Sequence, residues 1–235
     1  MTARSVSIRD ADIAERFERD GFMVLDSVVD EAVCDALIDQ IEEQHVTGPG
    51  SRSLLRDARV ASVAYAVRAH PAMAALLPVD AVAVQCTLFS KSRHSNWSVG
   101  PHQDLSIPVA RKLEAEACGG WSVKEDGWHV QPPKAVLDTL VAVRLQLDVD
   151  SQDAGCLRVV AGSHRRGRIP AGELPAIVDG VRWTPCAVQK SGALAMRPLV
   201  VHASSKAAHG VARRVLHFLF GPRRLPLGLE WAVAV

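Results

Sequence analysis

The sequence has no apolar run long enough to cross a bilayer, no CxxC pair and almost no excess of charge of either sign. The first absence argues against a helical membrane protein. The earliest apolar stretch, Phe22–Leu25, is short and follows the charged segment 9–20, so it suits neither a spanning helix nor the core of a secretion signal. The five cysteines, Cys34, Cys86, Cys118, Cys156 and Cys186, are odd in number and widely spaced. That spacing argues against a disulfide framework and a zinc knuckle, and it points to reduced thiols in a cytoplasmic protein. With 27 Lys plus Arg against 26 Asp plus Glu, the chain lacks the basic surplus that a phosphate backbone demands, so neither nucleic acid nor a membrane is expected as a partner. Repeats and low-complexity segments are also missing.

What is present is a globular composition: 235 residues, 48 % hydrophobic and 23 % charged, enough to bury a core. One domain over 1–235 is expected, with a helical part over 1–80, a barrel over 81–235 and a lid over 105–134. The spacing predicts a helix over 10–20, a short strand over 21–26 and a helix from Asp30, where Val33, Leu37, Ile38 and Ile41 share a face. A further helix through Val60, Val63, Ala64 and Val67 should stop at His70, because the residue before Pro71 resists the helical region. After residue 80 the chain turns β-rich. Strands are expected over 81–90, 139–148, 156–160, 193–202 and 211–220, giving an antiparallel double sheet flanked by helices. The stretch 105–134 reads as irregular and carries Trp121 and Trp128, which is the character of a functional lid.

His102-Gln103-Asp104 places an imidazole and a carboxylate at i and i+2, the same face of an extended strand. His202, after the apolar run Leu199-Val200-Val201, is the best third ligand. Two His and one carboxylate leave positions open on the metal and suit non-haem Fe(II) oxygen chemistry. Arg213, on the next strand, can pair bidentately with the far carboxylate of a bound dicarboxylic acid.

The order His102-Gln103-Asp104, Gly155-Cys156-Leu157-Arg158-Val159-Val160-Ala161-Gly162-Ser163-His164, His202-Ala203-Ser204-Ser205 and Arg213-Arg214-Val215 resembles that of the phytanoyl-CoA dioxygenase family, over roughly residues 10 to 220. It departs from the family pattern at Ala161, where Pro is usual, and at Val215, where a polar group is frequent. The resemblance implies a mainly β protein with flanking helices, folded as a double-stranded β-helix or jelly roll. It implies Fe(II) held by His102, Asp104 and His202, O2, and 2-oxoglutarate as co-substrate with Arg213 and Ser204 at its distal carboxylate. Ascorbate is a suitable reductant. The expected activity is hydroxylation of a small molecule, with succinate and CO2 as co-products. A carboxylate at Asp104 fills the position a halide would need, so hydroxylation is preferred over halogenation, while desaturation and ring formation stay open.

Gln103 either reaches the 2-oxoglutarate or points away by strand alternation, and Trp121 and Trp128 either pack the lid or meet bound ligand. Gln103 and Trp121 are counted with the co-substrate residues. His217 is read as pocket-lining or as a core histidine, His164 as part of a turn and Arg214 as facing away from the site; Lys91 and Thr87 either donate to the co-substrate or face solvent, with solvent preferred for Lys91. A metal-binding barrel that only senses 2-oxoglutarate is the alternative from another class, and a cupin-like hydrolase or isomerase with Zn, Mn or Ni ranks after it. Neither the prime substrate nor the oligomeric state is legible.

Overall fold

A computed structural model describes residues 10–43, 51–92, 95–149, 155–208 and 212–235. The helical elements are α1 (Asp10–Asp20), α2 (Glu31–Glu43), α3 (Ala58–Ala69), α4 (Pro71–Ala74), α5 (Lys134–Leu137) and α6 (Leu174–Val178). The strands are β1 (Phe22–Leu25), β2 (Ala81–Lys91), β3 (Val99–His102), β4 (Ile107–Val109), β5 (Gly119–Lys124), β6 (Gly127–Gln131), β7 (Val141–Gln146), β8 (Leu157–Val159), β9 (Thr184–Cys186), β10 (Ala193–Met196), β11 (His202–Ser204) and β12 (Arg213–Pro222). The first residue of the strand expected over 211–220 falls outside the described residues. Among the described residues no helix is long and apolar enough to cross a membrane.

The antiparallel strands form a five-stranded sheet, β1-β10-β7-β12-β2, and a four-stranded sheet, β3-β11-β8-β9. Together they make the jelly roll. The large sheet is covered on both faces, which explains why every residue of β7 is buried. Val141, Val143, Leu145, Leu216, Phe218 and Phe220 pack with the helical segment through Phe17, Leu37, Val63 and Val67. The opposite face, with Val82, Val84, Ala142, Leu194 and Leu219, meets Leu157 and Val159 of the small sheet. Strand alternation therefore assigns odd positions of β12 to the barrel interior and even positions to the helices. Arg214 obeys this rule: it bonds Asp148 and reaches Glu42 on α2.

Local chemistry sets the helix ends. The Asp57 carboxylate accepts from the backbone N–H groups of Arg59 and Val60 to cap α3, and α3 stops at His70, extended before Pro71. At the end of α1, Gly21 takes φ +79°. Its N–H donates to Phe17 O at 2.7 Å, and its carbonyl accepts from Arg197 N at 2.8 Å.

Two expectations are corrected. The run 193–202 is not one strand, because β10 belongs to the large sheet and β11 to the small one. Pro198 has no N–H to continue a ladder, and Val200 N turns back onto Arg197 O at 3.0 Å. Nor is 105–134 irregular: it holds a three-stranded antiparallel sheet, β4-β6-β5. Short strands interrupted by Gly119, Gly120 and Gly127 hide this local pairing from a periodicity reading.

A methyl group at Gly21 would lie 2.2 Å from His164 Nδ1 and 2.6 Å from Val200 Cγ2. Gly21→Ala should therefore cost about 2–4 kcal/mol, from left-handed strain and overpacking together. A urea titration beside wild type measures it, and an unchanged midpoint would show that this junction yields easily.

Candidate active site

Pairing of β3 with β11 sets His102 directly across from His202. The two rings lie 4.1 Å apart, centroid to centroid. Asp104 follows just beyond the end of β3, where its N–H donates to Pro198 O at 2.9 Å. One carboxylate oxygen then stands 3.9 Å from His102 Nε2 and the other 3.7 Å from His202 Nε2. One ligand atom from each residue falls within 4.8 Å of the others.

The tautomers follow from the partners. His102 Nδ1 lies 2.9 Å from Gly100 O and His202 Nδ1 lies 2.8 Å from Val200 O. A carbonyl only accepts, so each Nδ1 carries the proton and each Nε2 turns a lone pair to the centre. Burial pulls the His202 pKa down to about 4 against the attraction of Asp104, which keeps the ring neutral. Burial also opposes ionisation of Asp104, but His202, His217, His102 and Arg144 outweigh it and hold that pKa below its ordinary value. Asp104 Oδ2 is shielded from solvent and has no hydrogen-bond donor among the described residues. Two lone pairs and an unsatisfied anionic oxygen converging on one point fit a divalent metal.

The triad opens into a cavity of about 450 Å³. At one end Lys91 and Arg213, cross-strand partners on β2 and β12, are 1 % and 3 % exposed. Lys91 donates to Ser205 O and lies 3.4 Å from Ser204 Oγ. Lys91 does not face solvent as expected, because a bulge in β2 between the partners of Leu219 and Phe220 turns Gln85, Thr87, Phe89 and Lys91 into the cavity.

His217 is pocket-lining and has a fixed tautomer. Arg144 Nη1 approaches its Nδ1 at 3.1 Å, and a guanidinium only donates, so the proton sits on Nε2, 3.9 Å from Asp104 Oδ2. Phe89 steadies this pair, 5.3 Å from the Arg144 guanidinium and edge-on to His217 at 5.8 Å. Burial lowers the His217 pKa to about 3. The group is thus a neutral donor beside the triad. Sequence reading missed Arg144, although a lone arginine inside the apolar run Val141-Ala142-Val143-Arg144-Leu145 was a usable signal.

Gln103 and Trp121 are not brought to the co-substrate end. The Gln103 amide donates to Gly167 O at 2.8 Å and Leu199 O at 2.7 Å and accepts from Ile169 N at 2.8 Å. Strand alternation sends it away from His102, and backbone groups occupy it. Trp121 packs against Trp128, centroids 6.5 Å apart, and neither indole lines the cavity, whereas Trp97 does. His164 sits in a 3-10 turn with Nε2 on Glu18 O at 3.1 Å.

The family model described as phytanoyl-CoA dioxygenase matches residues 17–215. No curated protein sequence matches the chain. Among solved structures, the fold is similar to that of the non-heme alpha ketoglutarate dependent epimerase SnoN from nogalamycin biosynthesis, with TM-score 0.66, 14 % identity, and coverage of 93 % of this chain and 90 % of that one. The carbocyclase SnoK from the same biosynthesis gives TM-score 0.66 at 12 % identity over 92 % and 85 % of the two chains. HygX from Streptomyces hygroscopicus, solved with nickel and 2-oxoglutarate bound, gives 0.59 at 14 % identity over 88 % and 84 %.

Because the folded-state pKa values of His202 and His217 are depressed to about 4 and about 3, the unfolded chain binds protons first on acidification. Stability of the metal-free protein is therefore full above about pH 6.5 and declines as the pH falls toward the folded values. Urea midpoints should drop steadily from about pH 7 to about pH 5, and replacing both residues by Gln should flatten the decline. An unchanged slope in that double variant would place the proton uptake elsewhere.

Proposed function

The chain belongs to the phytanoyl-CoA dioxygenase family, and from that premise we propose that it is an Fe(II)- and 2-oxoglutarate-dependent oxygenase that hydroxylates a small molecule. The observation that carries the reading is the convergence of His102 Nε2, His202 Nε2 and an undonated Asp104 oxygen, with both Nδ1 protons tied to backbone carbonyls. These three side chains would hold the metal. When bound, iron supplies the coupling of O2 reduction and 2-oxoglutarate decarboxylation, to succinate and CO2, with oxygen insertion into an unactivated C–H bond.

The remaining work belongs to the chain. The carbonyls of Gly100 and Val200 hold the imidazoles in one tautomer and one orientation, so metal binding need not reorganise them. Lys91, Arg213 and the Ser204 hydroxyl form one cationic, hydrogen-bonding end that matches the distal carboxylate of 2-oxoglutarate. His217 holds an Nε2–H donor beside the triad, 3.9 Å from Asp104 Oδ2. Phe89, Ile107, Leu137, Leu140, Leu157 and Leu219 line the cavity between these groups and keep water from the reacting bond.

Asp104 supports hydroxylation over halogenation, since with iron bound its carboxylate would take the place that a halide needs. The same fold also serves an epimerase and a carbocyclase, so the mass of the product tests the choice. Incubating a metabolite extract with the protein, Fe(II), 2-oxoglutarate and ascorbate should yield a species that gains one oxygen. A product that loses two hydrogens, or keeps its mass, would replace hydroxylation with ring formation or epimerisation. No succinate under any condition would favour the sensor reading.

Arg213→Ala should raise the KM for 2-oxoglutarate roughly tenfold to a hundredfold with metal affinity nearly unchanged, because a hydrogen bond to a charged group contributes about 1.5–3 kcal/mol. Trp121→Ala should leave that KM alone. Succinate release measured against co-substrate concentration gives both, and a large effect at Trp121 with none at Arg213 would refute the assignment.

A further inference from the structure

The cavity is far more basic than the chain. Lys plus Arg exceed Asp plus Glu by one overall, 27 against 26, yet the cavity is lined by Arg52, Lys91, Lys124, Arg144 and Arg213 against the single carboxylate Asp104. A bound divalent ion adds further positive charge. Lys91 and Arg213 stand at the end assigned to 2-oxoglutarate, whose two carboxylates offset only part of the total. Arg52 and Lys124 belong to a different part of the wall and are not accounted for by the co-substrate.

A built contact places these two cations. The Glu125 carboxylate accepts from Ser51 Oγ at 2.9 Å, Arg52 N at 3.2 Å and Ser53 Oγ at 3.3 Å. Leu88 N donates to Ser51 O at 3.0 Å. The turn between β5 and β6 is thereby fastened to the segment before α3 and to β2, with Arg52 and Lys124 both at the cavity. Neither makes an ion pair among the described residues. The two acids of that turn are bonded to other groups, Glu125 to those three donors and Asp126 to His129 Nε2 at 2.9 Å.

Holding two cations near each other in a half-buried wall costs electrostatic free energy unless an anion joins them. The Lys124 ammonium registers that cost: burial first, and then Arg52, lower its pKa, and Asp126 and Asp104 compensate only in part.

Building on the oxygenase reading, we infer that the prime substrate is an anion, a small molecule whose carboxylate or phosphate is seated by Arg52 and Lys124, with the bond to be oxidised between that group and the metal centre. Recognition at a site remote from the reacting bond fixes the substrate's direction, and a neutral analogue forfeits that anchor. Carboxylate and phosphate share this chemistry and differ in charge and size.

The test uses the full chain loaded with Ni(II), which supports binding without turnover, and saturated with 2-oxoglutarate. Calorimetric titration with phenyl phosphate and with benzoate, against benzamide as the neutral probe, reads the site directly. At least one of the two anions should bind at least tenfold more tightly than benzamide, and the tighter one names the substrate class. Arg52→Gln combined with Lys124→Gln should lose that preference while the affinity for 2-oxoglutarate stays within twofold. The charge-conserving pair Arg52→Lys and Lys124→Arg should retain it, which separates loss of charge from loss of fold. Equal binding of all three probes, or an anion preference that survives the Gln pair, overturns the inference. So does loss of 2-oxoglutarate affinity in the Gln pair, since these cations would then serve the co-substrate. If wild type binds no 2-oxoglutarate, the oxygenase reading fails separately, and probe binding in its absence still decides the anion site.

Discussion

The site depends on one strand register. His102 and His202 are a hundred positions apart in the chain and become neighbours only because β3 and β11 pair with those two residues opposite each other. A slip of one residue would send one imidazole to the other face of the small sheet. The surroundings oppose such a slip. Gln103, on the reverse side of the metal-facing strand end, is bonded to three backbone groups of the turns that lead to and from the small sheet. Removing that amide would leave buried donors and acceptors without partners, so the register is fixed from behind by polar satisfaction as well as from the front by the ladder.

The large sheet contributes the other half of the cavity wall, and its two covered faces divide the labour. Side chains toward the helices are apolar and supply burial, with Phe218 and Phe220 at the centre. Side chains toward the barrel change character along each strand. On β12 the order Arg213, Val215, His217, Leu219 passes from the co-substrate end, past the triad, to the hydrophobic floor. Charged groups are tolerated there because each faces a cavity rather than a packed interior. Arg214, one residue along, avoids the interior by reaching back to Asp148 and Glu42.

Much of this was legible in the sequence, where the chemistry is carried by spacing. The helices before residue 80, the strand through Arg213 and the HxD pair all follow from periodicity and from Pro71. Other features escaped, the local sheet within 105–134 among them. The split of 193–202 turns on which sheet each half joins, a tertiary fact, although Pro198 marks the place where the ladder breaks. The orientation of Lys91 depends on a bulge, and nothing in the pattern Val82-Ala83-Val84-Gln85 announces one. Gln103 and Trp121 were drawn to the site by proximity in sequence to the ligands. Alternation and local sheet pairing take them elsewhere.

That bulge also makes the cavity unusually sensitive to chain length. Val84 is the extra residue of β2: Leu219 pairs with Gln85 and Phe220 with Ala83. Before it, Val82 and Val84 seal the barrel interior. After it, Gln85, Thr87, Phe89 and Lys91 furnish the cavity. Deleting one residue here would convert a change of length into a change of face, turning the Lys91 ammonium toward the helical layer and Leu88 into the polar chamber. Point substitutions at these positions adjust the cavity by degrees, whereas a single-codon deletion exchanges its lining for the core's.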